Sequence, residues 1–198
     1  MSKGFNTKEN ILKCAFELTS KFGLESLSIG ELAKTVGMSK SGLFSHFKSK
    51  EKLQIMVMDY ASANFVGQVV KPAIEKERGI PRIRALMDNW KKWSSSYLPG
   101  GCPFLSAIVE FDDRPGKVRD HILKLQSTMI GTFERAVAIA QEENQLNPEL
   151  NTEQIAYEIY SNMIGFHIYN RLLKNKASNE MFEHNFQAII ERSSTQLA

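Results

Sequence analysis

Two short apolar-periodic segments separated only by Gly37-Met38-Ser39 constrain this chain more than any other feature. Ser28 is placed to cap the first segment, and Glu31 three residues on completes a capping box. Ile29, Leu32, Ala33 and Val36 make its apolar side. Gly37 ends it and permits a tight turn. Ser39 is placed to cap the second segment, which runs from about Lys40 to Phe47. Helices this short are not stable alone, so both must pack on something longer. A helix pair joined by so short a turn has the shape that fits the DNA major groove.

The surrounding sequence predicts the support. A helix is expected from Thr7, as its cap, to Phe22, with Ile11, Leu12, Ala15, Phe16 and Leu18 on one face and Gly23 just past its end. Lys48-Ser49-Lys50 reads as a turn, and Ser49 as the cap of a further helix continuing to about Val70, before Pro72. Later helices are expected after Gly79-Ile80-Pro81, from Pro103 to Phe111, and from Val118 to about Asn144. Another follows Thr152, read as its cap, and the last covers about Asn179 to Arg192. No strand-like alternation or hairpin dipeptide is visible. The fold expected is all-α with roughly nine helices: a three-helix DNA-binding domain over residues 1–50 and a larger helical domain over 51–198.

The charge is uneven. Residues 1–52 hold nine Lys/Arg against five Asp/Glu, whereas the remainder holds 16 against 17. The excess positive charge therefore surrounds the helix pair, where phosphate attraction needs it. A surplus of this size is also within ordinary surface variation. No stretch approaches the ~18 apolar residues of a membrane span. Residues 1–10 are polar and lack an apolar signal core, so a cytoplasmic protein is expected. Two cysteines are too few for a disulfide framework or a zinc cage, and neither a metal nor a cofactor is expected.

The residues Ile11-Leu12-x-x-Ala15-x-x-Leu18, Phe22-Gly23, Ser28-Ile29-x-x-Leu32-Ala33, Val36 to Phe47 and Lys50-Glu51-Lys52-Leu53 resemble the DNA-binding domain of TetR-family transcriptional regulators. The match covers about a quarter of the chain. It departs from the family where Phe44 replaces tyrosine and where His46 stands at a position that is often tyrosine.

Within it, Lys40, Ser41 and Ser45 are the side chains best able to reach base edges, since lysine pairs with guanine and serine serves either base type. Ser39 sets a hydroxyl at a helix N-terminus, which favours phosphate, and His46 is assigned to phosphate. Leu43 reads either as a thymine-methyl contact or as core. Gly42 reads either as close approach to DNA or as packing of the second short helix on the first long one. The resemblance adds phosphate contacts at Ser28 and Lys50.

The resemblance also implies a homodimer formed by the last two helices, for which Tyr157, Tyr160, Phe166, Tyr169, Phe182, Phe186 and Ile189 are the candidates. Ordinary intrachain core is the other reading of these residues. It further implies a pocket for a small-molecule effector, with Met87, Trp90, Phe104, Ile108, Met129, Phe133, Met163 and His167 as candidate lining. Such stripes are more often plain core. Occupancy alone blocks a promoter, so a repressor acting on a palindromic operator in double-stranded DNA is the reading preferred over an activator. The alternative is a small all-α interaction protein or a redox-responsive regulator working through Cys102, which precedes Pro103 at an expected helix start. The histidines show no His-x-x-x-His spacing, and no nucleophile elbow, P-loop or GxGxxG is present, so an enzyme is not expected. Glu110, Asp112 and Asp113 read as part of a capping turn.

Overall fold

A computed structural model describes the backbone of residues 3–195 and the side chains of residues 8–195. Among these residues the chain forms nine helices. They are α1 (Lys3–Phe22), α2 (Ile29–Thr35), α3 (Lys40–Phe47), and α4 (Lys50–Phe65, a π-helical turn Val66–Val70, then Lys71–Ile74). Then come α5 (Ile80–Lys92 and a π turn Trp93–Tyr97), α6 (Pro103–Phe111), α7 (Lys117–Glu142), α8 (Thr152–His167 and a π turn Ile168–Leu172) and α9 (Ser178–Ser193). The described residues hold no strand, only an isolated bridge between Leu146 and Ser194.

The serine caps form as expected. Ser28 Oγ accepts from the Glu31 amide at 3.1 Å, Ser39 Oγ from Gly42 at 3.1 Å, and Ser49 Oγ from Lys52 at 3.0 Å. Gly23 and Gly37 both adopt positive φ, +86° and +67°.

Three boundaries differ from the expectation. The first helix starts at Lys3, so Thr7 lies inside it rather than capping it; extending a packed helix backward costs little compared with nucleating one. The fourth runs through Pro72 instead of stopping before it. The π turn at Val66–Val70 ends two residues before that proline, which donates no backbone hydrogen bond and crowds the turn behind it. Asn151, not Thr152, caps α8: its Oδ1 accepts from the Gln154 amide at 3.0 Å, while the Thr152 hydroxyl donates to Gln141 at 2.7 Å.

The chain forms two compact units, neither continuous in sequence. One comprises the residues up to Phe65 together with Leu98–Leu125; the other comprises Val66–Tyr97 and Gln126 onward. In the first, Ile11, Ala15, Phe16, Leu32, Leu43, Phe47, Leu53, Val57 and Met58 are buried, so the short helices hang on α1 and α4. The loop before α6 is locked to the end of α1. The Gly100 amide donates to Ser20 Oγ at 2.9 Å, and that hydroxyl donates to the Gly101 carbonyl at 3.0 Å.

In the second unit, Trp90 stacks on Phe182 and meets Phe166 edge-on, and the Phe166 and Phe182 rings lie 4.9 Å apart. Arg84 covers the Phe186 ring at 4.8 Å.

Candidate nucleic-acid interface

Helix α3 divides cleanly into two faces. Leu43 and Phe47, one turn apart, are both wholly buried and fasten it to the core. Lys40, Ser41, Phe44, Ser45 and Lys48 recur at helical spacing on the other side and are exposed. Leu43 is therefore corrected: sealed in the core, it meets no thymine methyl. The exposed apolar group on this helix is its neighbour Phe44, at 51% exposure. Phe44 and Lys48 were not among the candidates, although the spacing from Lys40 and Ser41 points to both.

The serines of this face already make local bonds. Ser45 Oγ donates to the Gly42 carbonyl at 2.7 Å, which leaves its lone pairs able to accept from a base. The Ser41 and Ser39 hydroxyls lie 3.2 Å apart. Of the two readings of Gly42, packing on α1 needs a contact that is not there: an added Cβ would meet only Ser39 Oγ, at 3.0 Å, and Met38 Cε, at 3.7 Å. The missing side chain leaves room for the Ser39 cap, and packing against α1 is excluded. His46 is half-buried beside Phe47. Ser28, Glu31, Lys34, Met38 and Lys40 border one shallow hollow between the starts of α2 and α3.

Lys50 stands at the start of α4, as expected, and is already occupied. Its Nζ donates to the Glu25 carbonyl at 2.6 Å and to Glu25 Oε1 at 3.2 Å. Arg114 lies 3.4 Å from the same oxygen, and Gln54 Nε2 bonds the Leu24 carbonyl at 3.0 Å and Glu25 Oε2 at 3.4 Å. Partial burial pushes the Glu25 carboxyl up, but Lys50, Gln54 and Arg114 outweigh it and hold the group below its ordinary value. The Glu25 amide in turn donates to Glu110 Oε2 at 2.9 Å. Glu110 is thus part of this anchorage, and Asp112 bonds the Asp113 amide within the following turn.

The residues expected to line a ligand pocket fall on both units. Met87, Trp90, Met129, Phe133 and Met163 are core residues of the second unit. Trp90 packs there against the Phe166 and Phe182 rings. In the first unit, Phe104 is buried and Ile108 half-buried. His167 sits 3.1 Å from Ser94 Oγ; burial, and then the Arg171 charge, lower its pKa. A cavity of the second unit with a different lining, Val70, Ile74, Arg82, Leu86 and residues of α7, encloses about 430 Å³.

The dimer candidates divide as well. Phe166, Phe182, Phe186 and Ile189 are buried in the chain's own core, which is the other reading of these residues, and Phe166, Phe182 and Ile189 also line the groove along α8 and α9. Tyr157 and Tyr169 are exposed, and half-buried Tyr160 donates to Gln126 Oε1 at 3.1 Å. Ile168, Leu172, Leu173 and Met181 are the further exposed apolar groups here. Tyr157, Gly165, Tyr169 and Met181 edge a groove of about 630 Å³ along α8 and α9. Cys102 is only 2% exposed, out of reach of the solvent access a redox-sensing thiol needs.

Residues 11–55 match the model of bacterial regulatory proteins of the tetR family, and residues 79–186 match that of the tetracyclin repressor-like C-terminal domain. The chain is 26% identical over 147 residues to the HTH-type transcriptional regulator QacR of Staphylococcus aureus, covering 73% of each chain. Among solved structures, a TetR transcriptional regulator from Chloroflexus aurantiacus superposes with a TM-score of 0.84 at 24% identity, covering 96% of both chains. AibR, solved in complex with isovaleryl coenzyme A and operator DNA, superposes with a TM-score of 0.68 at 19% identity, covering 95% of this chain and 98% of that one. With both of its domain models matched, and a reading helix mounted on a basic, capped scaffold, the chain belongs to the TetR family of DNA-binding transcriptional regulators.

Proposed function

We propose that the protein is a ligand-responsive repressor that binds a palindromic operator as a homodimer. The two-faced α3 carries this reading: Leu43 and Phe47 are wholly buried, while Lys40, Ser41, Phe44 and Ser45 face outward. In a complex, Lys40, Ser41 and Ser45 address base edges, and Phe44 takes the apolar role once assigned to Leu43. Ser28, Ser39 and His46 take phosphates, and Lys50 joins them by exchanging the Glu25 carboxylate for one. Arg114 stays on Glu25 through that exchange, so the carboxylate is not left alone.

One reading head buries too little DNA for tight binding, and twofold pairing supplies two half-sites. The exposed apolar rim of α8 and α9 supports pairing there. Residues 1–50 then do the reading, and residues 51–198 pair and respond to an effector. The structural neighbour that holds both an acyl-coenzyme A and operator DNA supports a link between ligand and operator affinity.

Selection of bound duplexes from a random pool tests the proposal. The enriched sequences are expected to share an inverted repeat. No enrichment even in dilute salt refutes DNA reading, and a monomer at micromolar concentration in sedimentation refutes pairing.

A further inference from the structure

The cavity between the end of α4, the first half of α5 and the middle of α7 is lined by Val70, Ile74, Leu86, Ala136 and Ile139, with Thr128, Gly131 and Thr132. Among the described residues, the charged groups that line it are Arg82 and Arg135. At about 430 Å³ it lies within the size range of small-molecule sites. Other arginines of this unit are neutralised: Arg78 by Glu142 and Glu143, Arg84 by Glu183, Arg192 by Glu158. Among the described residues Arg82 and Arg135 have no such partner. Arg82 is held in place nonetheless. Its Nη2 donates to the Ile74 and Lys76 carbonyls at 3.1 and 3.0 Å, and its Nε is buried with no acceptor. A fixed guanidinium with unspent donors, beside an aliphatic wall, suits a carboxylate carried on an apolar body.

Gly131 is a second, independent sign. It lies inside the long helix α7, where glycine costs about 1 kcal/mol relative to alanine. An added Cβ would meet nothing closer than Glu134 Oε2 at 3.9 Å. Packing therefore does not demand a glycine at this position; what its absent side chain does is keep the groove open.

We infer that this groove binds a small amphipathic carboxylate, its acid group on Arg82 and Arg135 and its apolar body along Val70, Ile74, Leu86 and Ile139. This names the effector class for the ligand-responsive reading above and rests on it.

Calorimetric titration of the full chain with octanoate, and with 1-octanol as the uncharged control, tests the site. Octanoate is expected to bind, with the alcohol weaker by on the order of tenfold or more. Arg135→Gln is expected to cost a similar factor and Arg135→Lys to restore part of it. Gly131→Leu, which fills the groove, is expected to abolish binding with an unchanged or higher melting temperature. The site is refuted if octanoate does not bind, if the alcohol binds equally well, or if Gly131→Leu leaves binding intact. Operator affinity, measured with and without octanoate, separates the two ideas. Binding in the groove with no change in operator affinity establishes the carboxylate site and removes its role as effector.

Discussion

Leu43 and Phe44 are adjacent on α3, but one side chain is sealed in the core while the other is half in solvent. Their substitutions are expected to fail in opposite ways. Leu43→Ala empties a core site and should lower stability by about 2–5 kcal/mol in denaturant unfolding. Phe44→Ala should leave unfolding nearly unchanged and weaken operator binding in fluorescence anisotropy. Equal loss of stability in both would overturn the assignment of faces. Lys40 and Lys50 make a second contrasting pair. Lys40→Ala should relax base preference, whereas Lys50→Ala should weaken binding to all sequences and reduce the salt slope by about one. Which residue type sits on α3 was legible in the sequence. Which of two adjacent apolar residues turns inward was not, because over so short a helix one residue of phase decides it.

The helices themselves were more legible at their starts than along their lengths. Ser28, Ser39 and Ser49 cap through bonds spanning three residues, so local sequence is enough to find them. Ser39→Ala is expected to cost about 1 kcal/mol. The passage of α4 through Pro72 was not legible, because it depends on the π turn preceding it, and the choice of Asn151 over Thr152 depends on Gln141, distant in sequence. Glycine positions show the same divide. Gly37→Ala meets no neighbour and pays only for its positive φ, about 1 kcal/mol. Gly100→Ala would put its Cβ 1.6 Å from the Ser20 carbonyl oxygen, so the two segments must separate. Its melting temperature should fall further than that of Gly37→Ala, and thermal unfolding of the two variants decides this.

At the scale of the whole molecule, pairing and pH response are the properties to measure. Gly165 edges the groove on α8, and an added Cβ meets nothing within 4 Å in the single chain. Gly165→Leu should therefore leave the chain folded but obstruct a second copy, shifting sedimentation toward monomer. His167 is held below its ordinary pKa, so the folded chain takes up a proton there less readily than the unfolded chain does. The resulting stability is complete above about pH 6.5 and is lost as the pH falls below that value. His167→Gln should flatten this acid side of the stability profile.

The overall class was readable because apolar periodicity reports burial directly. The pocket and pairing surfaces were not, because buried aromatics such as Phe186 repeat at the same spacing as a lining would.

The lock between Ser20 and Gly100–Gly101 bears on how this protein can be taken apart. The reading head shares its compact unit with Leu98–Leu125, a stretch encoded well downstream. Cutting after α4 would strip α1 of that cover, and a chimera that borrows the DNA specificity must transplant both stretches together.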